Sequence, residues 1–136
     1  NCVKAARRHS TYIKMIKNPK WEYTELVLAL ELYMEFRPNP PGKNSKEVKI
    51  LSHTLRLKAL SEGIKLNNIF RNNNGVAMKL QNFRRFDNMF IGKGLRAGGA
   101  LEKVIWEKYQ NLEKLKKDSQ EIRDIIESKM KAICAK

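Results

Sequence analysis

The segment WEYTELVLALELYMEF, residues 21–36, constrains the fold most strongly, because few of its positions are polar. Apolar side chains recur at the three- to four-residue spacing of one helix face, and further leucines widen that face. We therefore predict a mostly buried helix. Its glutamates, Glu25, Glu31 and Glu35, are expected along an exposed edge. The apolar positions are Leu26, Leu28, Ala29, Leu30, Leu32, Tyr33 and Phe36.

The next segments predict a loop, a second helix and a connector. RPNPPGKNS, residues 37–45, contains three prolines and a glycine and is therefore a loop. Ser45 is expected to cap a helix that stops at 61–63. Residues 64–70 fit a connector with at most one short helical turn. The second helix carries Val48, Leu51, Leu55, Leu57 and Leu60 on its apolar side.

From Ala100 onward the chain contains neither glycine nor proline. Leucine and isoleucine recur at three- to four-residue spacing, so one long helix or two successive helices fit. No segment has a continuous strand pattern, and we predict an all-α fold, a compact bundle of about five helices with a long C-terminal helix or helix pair. We place a basic N-terminal arm or helix at 1–20, a helical domain at 21–117, and an extension or linker to a further domain at 118–136.

The run RNNNGVAMKLQNFRRFD, residues 71–87, is predicted to present two different helix faces. Asparagine opposes helix interiors but suits helix starts, so Asn72 is the expected N-cap of a helix over 73–86. At about 100° per residue, one face is expected to meet the core and the other to face outward. The core face carries Val76, Leu80 and Phe83, and the outward face carries Asn74, Met78, Gln81 and Arg85, with Asn82 at its edge.

The charge balance favours an anionic partner. The 136 residues include 28 Lys and Arg against 14 Asp and Glu, a net charge of +14. Basic surfaces bind nucleic acid by releasing counterions, although such an excess also serves solubility. Residues 1–20 and 64–99 each carry +6, whereas residues 100–136 carry +2. The glycine-rich segment 87–99 fits either a phosphate-facing loop or a plain connector.

The sequence contains no motif that is typical of an enzyme, a metal site or a membrane span. His9 and His53 have no nucleophile or acid at a suggestive spacing, and no nucleotide-binding motif is present. Cys2 and Cys134 lie at opposite ends without a Cys/His cluster, so a reduced, cytoplasmic protein is the default and a terminal disulfide the alternative. No apolar run approaches the ~18 residues of a membrane span. We expect no catalytic activity, metal or cofactor in this chain.

Four runs, in order, resemble a known family: WEYTELVLALELY, SKEVKILSHTLR, RNNNGVAMKLQNFRRFD and GKGLRAGGALEKVIWEKY. They are similar to the N-terminal module that precedes the catalytic domain in many bacterial HNH-type restriction endonucleases of the McrA-like, modification-dependent kind. The resemblance covers residues 21–109. The family usually has Pro where Asn73 stands and Ser or Thr where Glu22 stands, and both departures concern helix capping. The matching positions of the central run are Arg71, Asn72, Asn74, Gly75, Val76, Met78, Lys79, Leu80, Asn82 and Phe83.

The resemblance implies a DNA-recognition or DNA-positioning role upstream of a nuclease, with double-stranded DNA, including modified DNA, as the partner. No HNH motif is present, so cleavage is not assigned to this chain. Basic side chains are expected to contact phosphates, whereas the amides and Arg85 can read base edges. A structural role for Asn82, bonding the segment 87–99, is the alternative at that position. The candidate nucleic-acid-binding residues are Arg71, Asn72, Asn74, Lys79, Gln81, Asn82, Arg84, Arg85, Lys93 and Arg96.

A second class of function stays open at this point. The chain could be a helical protein-interaction or dimerisation module, in which the charge serves solubility. Leu112 and Leu115 of the C-terminal helix would then pair with another subunit, giving a homodimer. In either case we expect Trp21 and Trp106 to be core or interface anchors rather than base-stacking residues.

Overall fold

The structure, a computed structural model, describes residues 18–90, 92 and 99–135. These residues contain five helices joined by loops. The predicted all-α bundle with a long C-terminal helix is confirmed. No strand occurs in the described residues. The predicted arm at 1–20 falls almost wholly on residues 1–17, which lie outside them. The helices are α1 (Tyr23–Phe36), α2 (Lys46–Ser61), α3 (Asn73–Arg84), α4 (Ala100–Lys108) and α5 (Leu112–Cys134).

Helix α1 is the centre of the bundle, because it contacts each of the other four helices. The side chains from Leu26 to Leu30 and that of Tyr33 are fully buried. A helix this apolar is stable only when neighbours cover most of its circumference. α1 stops at Phe36, because Pro38 favours extended backbone at the residue before it, and Arg37 has a ψ of 143°.

One of the three α1 glutamates does not lie on an exposed edge. Glu25 is 4 % exposed, and its carboxylate binds the guanidinium of Arg71. The prediction of an exposed edge is therefore wrong at Glu25, because a buried arginine compensates its charge. Glu31 is half-buried and pairs with Arg123 of α5 at 2.6 Å, whereas Glu35 is exposed as expected.

The two predicted helix caps are confirmed. Ser45 Oγ accepts a hydrogen bond from the backbone N–H of Val48 at 3.2 Å at the start of α2. Asn72 Oδ1 accepts one from the backbone N–H of Gly75 at 2.8 Å at the start of α3. Each cap satisfies a backbone donor that the first helical turn leaves without a partner. These two contacts fix where α2 and α3 begin.

The apolar region after Ala100 forms two successive helices, which is the second of the two predicted arrangements. α4 ends at Lys108, and Asn111 caps α5 by accepting the backbone N–H of Glu113 at 2.9 Å. The Tyr109 hydroxyl, at the break, lies 3.2 Å from the Tyr23 hydroxyl. The break between α4 and α5 is thus attached to the start of α1.

Helix α5 lies across α1 and α2 as one continuous helix. Leu115, Ile126 and Met130 are buried in the same core as the leucines of α1. The predicted division between 117 and 118 falls inside this helix. Residues on both sides of that division therefore belong to a single packed unit.

Cys134, the last residue of α5, is disulfide-bonded, so the expected reduced thiol is not found at this position. The other cysteine of the chain, Cys2, lies outside the described residues. Across the described ranges, no helix combines the length and apolar character needed to cross a membrane.

Candidate nucleic-acid interface

Helix α3 has one buried face and one exposed face, as its sequence predicts. Val76, Leu80 and Phe83 are fully buried against the core. On the opposite side, Asn74 and Arg85 are exposed and Met78 retains 51 % of its accessible surface. Gln81 is half-buried at the margin of this side. We call Asn74, Met78, Gln81 and Arg85 the outer face of α3.

Arg71 does not belong to the accessible surface. It is 6 % exposed, and its Nε and Nη2 donate to the two carboxylate oxygens of Glu25 at 2.7 and 2.9 Å. Its Nη1 and Nη2 also donate to the backbone carbonyls of Pro19 and Lys20 at 3.0 and 3.2 Å. The phosphate contact stays a prediction, and the structure gives Arg71 an internal role, because its guanidinium is enclosed and donates to Glu25 and to two backbone carbonyls.

Lys79 lies on the flank of α3 that packs against α4. Its ammonium forms an ion pair with Glu102 at 3.0 Å, and the side chain keeps 15 % of its accessible surface. The same ammonium lies 5.4 Å from the centre of the Trp21 ring, a cation–π distance. The charge of Lys79 is therefore partly compensated within the protein.

Asn82 is 8 % exposed and lies on the flank of α3 that also carries Lys79. Its Oδ1 has no hydrogen-bond partner among the described residues, and neither does Oε2 of the buried Glu102. The contact with a base edge stays a prediction, and the structure places the side chain almost wholly below the surface. A bond from Asn82 to the segment 87–99 involves residues that lie mostly outside the described part.

Arg84 connects the outer face of α3 to the loop at 37–45. Its Nη1 donates to Gln81 Oε1 at 3.1 Å, and its Nη2 donates to Asn39 Oδ1 at 3.2 Å. The guanidinium carbon lies 3.7 Å from the centre of the Phe90 ring, so the group is stacked as well as hydrogen-bonded. Arg84 thus has several partners within the protein, and its phosphate contact stays a prediction.

Arg85 and Asn74 are the predicted site residues that the structure leaves most accessible. Arg85 is exposed, and its guanidinium carbon lies 4.6 Å from the centre of the Phe86 ring. Asn74 is exposed and its amide approaches the sulfur of Met78 at 3.8 Å. Asn72, by contrast, uses its side-chain oxygen as the α3 cap. Lys93 and Arg96 lie outside the described residues.

A buried carboxylate anchors the chain just after α3, and the sequence pattern did not identify it. Asp87 accepts hydrogen bonds from Tyr33 Oη at 2.7 Å and Arg37 Nε at 3.0 Å, and Arg37 Nη2 forms an ion pair with it. Burial alone would raise the pKa of Asp87, but these bonds and that from the Met89 N–H hold it below 3.8, its ordinary value. The isolated position of Asp87 within a basic segment was the only sequence signal of this role.

The two tryptophans have the expected packing roles. Trp106 lies edge-on to Tyr33, with ring centres 5.8 Å apart. The guanidinium carbon of Arg37 lies 5.6 Å from the centre of the Trp106 ring. Trp21 packs against the core, and the centre of its ring lies 5.0 Å from the Arg71 guanidinium carbon. Both are partly buried.

Within the described residues, no group of three His, Cys, Asp or Glu side chains could hold a metal ion.

The accessible part of the candidate site consists of amide, thioether and guanidinium groups, those of Asn74, Met78 and Arg85. These groups donate and accept hydrogen bonds and pair with anions, which is the chemistry of DNA contact.

In comparisons with known proteins, no protein-family model, curated protein or solved structure matches the chain.

Proposed function

We propose that this chain is a DNA-binding module and that the outer face of α3 is its principal contact surface. The supporting observation is that α3 is anchored by three fully buried side chains while its outer face stays accessible. No acidic residue occurs between Arg71 and Phe86. A phosphate backbone can therefore approach this face without meeting a carboxylate of the helix itself.

The chemistry of the outer face divides the contacts into two kinds. Arg85 carries the charge that pairs with a phosphate or with a guanine edge. Asn74 and Gln81 carry amides of the type that pair with adenine in a major groove. Arg71 and Lys79 support this surface from behind through the contacts described above, and Asn82 is buried beside Lys79, so none of the three is a principal DNA contact in this proposal.

Fluorescence anisotropy with a labelled DNA duplex across a salt series tests the proposal. The logarithm of the association constant should fall linearly with the logarithm of salt concentration, with a slope of about −0.9 per phosphate neutralised. Arg85→Ala should make this slope shallower, whereas Lys116→Ala, an exposed control on α5, should leave it unchanged. A wild-type chain that fails to bind duplex DNA at low salt would refute the proposal.

The resemblance to McrA-like HNH endonucleases extends the proposal to the role of the module. In that setting the chain would position or recognise DNA, including modified DNA, for a catalytic domain elsewhere. Incubating the chain with plasmid and a divalent metal should then produce no cleavage. Comparing anisotropy on methylated and unmethylated duplexes of the same sequence would show whether the module senses modification.

A protein-interaction function is the second candidate, and one groove favours it. The groove lies between α1, α2 and α5, has a volume of about 190 Å³, and is lined by Leu28, Leu32, Ile50, Leu51 and Arg123, among others. Ile50 retains 54 % of its accessible surface there. The specific leucine pair expected for a dimer is less suitable, because Leu115 is fully buried within its own chain.

A further inference from the structure

The proline-rich loop at 37–45 borders the outer face of α3. Three side chains form a continuous hydrogen-bonded row from that face to the loop: Gln81, then Arg84, then Asn39. Gln81 belongs to the outer face, and Asn39 lies in the loop. The loop is therefore held beside the C-terminal end of the surface that we propose binds DNA.

Both ends of the loop are fixed to the bundle. At its start, Arg37 binds the buried Asp87, which follows α3. At its end, the Ser45 hydroxyl donates to the Gly42 carbonyl at 2.6 Å and its oxygen caps α2. A loop held in this way loses little conformational entropy when a ligand contacts it, which favours binding.

Two lysines at the end of this loop are exposed. Lys43 lies within the loop, and Lys46 is the first residue of α2. Neither forms an ion pair with any described residue, in contrast to Lys58 and Lys79. Glu47 follows them but is half-buried and lines the groove between α1 and α2. The pair thus adds accessible positive charge to the end of the loop whose Asn39 contacts Arg84.

We propose that Lys43 and Lys46 form a second phosphate-contacting element, and that Arg84 is a positioning residue that holds this element beside α3. The inference rests on the proposed function, because it assigns two further contacts to the same DNA duplex. Its partner is the phosphate backbone, since lysine ammonium groups bind phosphate as point charges without reading sequence. The loop would add affinity and orientation, whereas the amides of α3 would supply any base preference.

The test measures the salt dependence of duplex binding by the Lys43→Ala/Lys46→Ala double variant of the full chain. We expect about a tenfold or larger loss of affinity at 0.1 M salt, and a slope shallower by about 1.8, because two phosphate contacts are removed. The matched control is Lys116→Ala/Lys117→Ala, which removes two exposed lysines from α5. If both double variants change affinity and slope equally, the loop has no special role and the inference is overturned.

A double-mutant cycle tests the positioning role of Arg84. If Arg84 holds the loop beside α3, removing the two lysines should weaken binding less in the Arg84→Ala background than in the wild type, because the contact between Asn39 and α3 is then absent. Asn39→Ala breaks the same contact from the loop side and should show the same non-additivity. Fully additive effects in both backgrounds would overturn the positioning role. A wild-type chain that does not bind DNA would instead refute the proposed function, and this inference with it.

Discussion

The carboxylate of Glu25 and the guanidinium of Arg71 form a two-bonded ion pair inside the bundle, with N–O distances of 2.7 and 2.9 Å. The two residues stand 46 positions apart in sequence. Their pairing attaches the start of α3 to the start of α1. The same guanidinium also donates hydrogen bonds to the backbone carbonyls of Pro19 and Lys20. The contact thus ties the residue just before the cap of α3 to the first turn of α1.

Arg71→Ala should destabilise the fold by about 3–5 kcal/mol, because it leaves the Glu25 carboxylate buried without a counter-charge. Urea denaturation followed by circular dichroism measures the loss. Arg85→Ala, which removes an exposed arginine of the same region, should change stability by less than about 0.5 kcal/mol. Equal effects of the two variants would contradict a structural role for Arg71.

Asn72→Ala should destabilise the protein by about 1 kcal/mol, because the backbone N–H of Gly75 loses the acceptor that caps α3. Asn72→Ser, which keeps a capping oxygen, should recover most of that loss. Thermal denaturation of both variants measures the difference. Identical melting temperatures for the alanine and serine variants would show that the cap contributes nothing.

Acid should destabilise the protein partly through Asp87. Its pKa is lower in the folded than in the unfolded chain, so its contribution is complete above the unfolded value of 3.8 and is lost as the pH falls below it. Asp87→Asn should lower stability at neutral pH and flatten the loss of stability below about pH 4. Denaturant titrations at several pH values provide the measurement.

Asn74→Ala should weaken duplex binding without changing its salt slope, since the amide carries no charge and releases no counterion. Arg85→Ala should change both quantities. The same anisotropy series used for the wild type distinguishes these effects. A shallower slope for Asn74→Ala would mean that the variant has shifted the whole protein on the DNA, contrary to a local amide contact.

Leu115→Ala should destabilise the monomer by about 2–5 kcal/mol. The leucine side chain is fully buried, so the alanine variant leaves a cavity in the core. Leu112→Ala should have little effect on stability, since Leu112 retains 49 % of its accessible surface. Size-exclusion chromatography with light scattering then tests self-association separately. A dimer that dissociates on Leu112→Ala while the fold stays intact would favour the protein-interaction function.

The predictable parts of this fold are those governed by local sequence. The two faces of α3 follow from the spacing of Val76, Leu80 and Phe83, and its start follows from the capping chemistry of Asn72. The break between α4 and α5 lacks glycine and proline, yet Asn111 is a capping residue of the same kind and could have located it.

The unpredicted parts depend on contacts between residues far apart in the chain. Burial of Arg71 requires Glu25, and the role of Arg84 requires Asn39, 45 positions earlier. An arginine in a basic segment has the same local pattern whether it faces solvent or a buried carboxylate. Only the packed structure separates the accessible candidates, Asn74 and Arg85, from those that hold the helix in place.

The position of α5 across α1 also has a consequence for how the chain is made. α1 is the first of the described helices to leave the ribosome and α5 is the last. The contact between Glu31 and Arg123 cannot form until both have been synthesised. The leucines of α1 therefore lack part of their cover during translation, and a nascent chain that pauses before α5 would be prone to aggregation or chaperone capture.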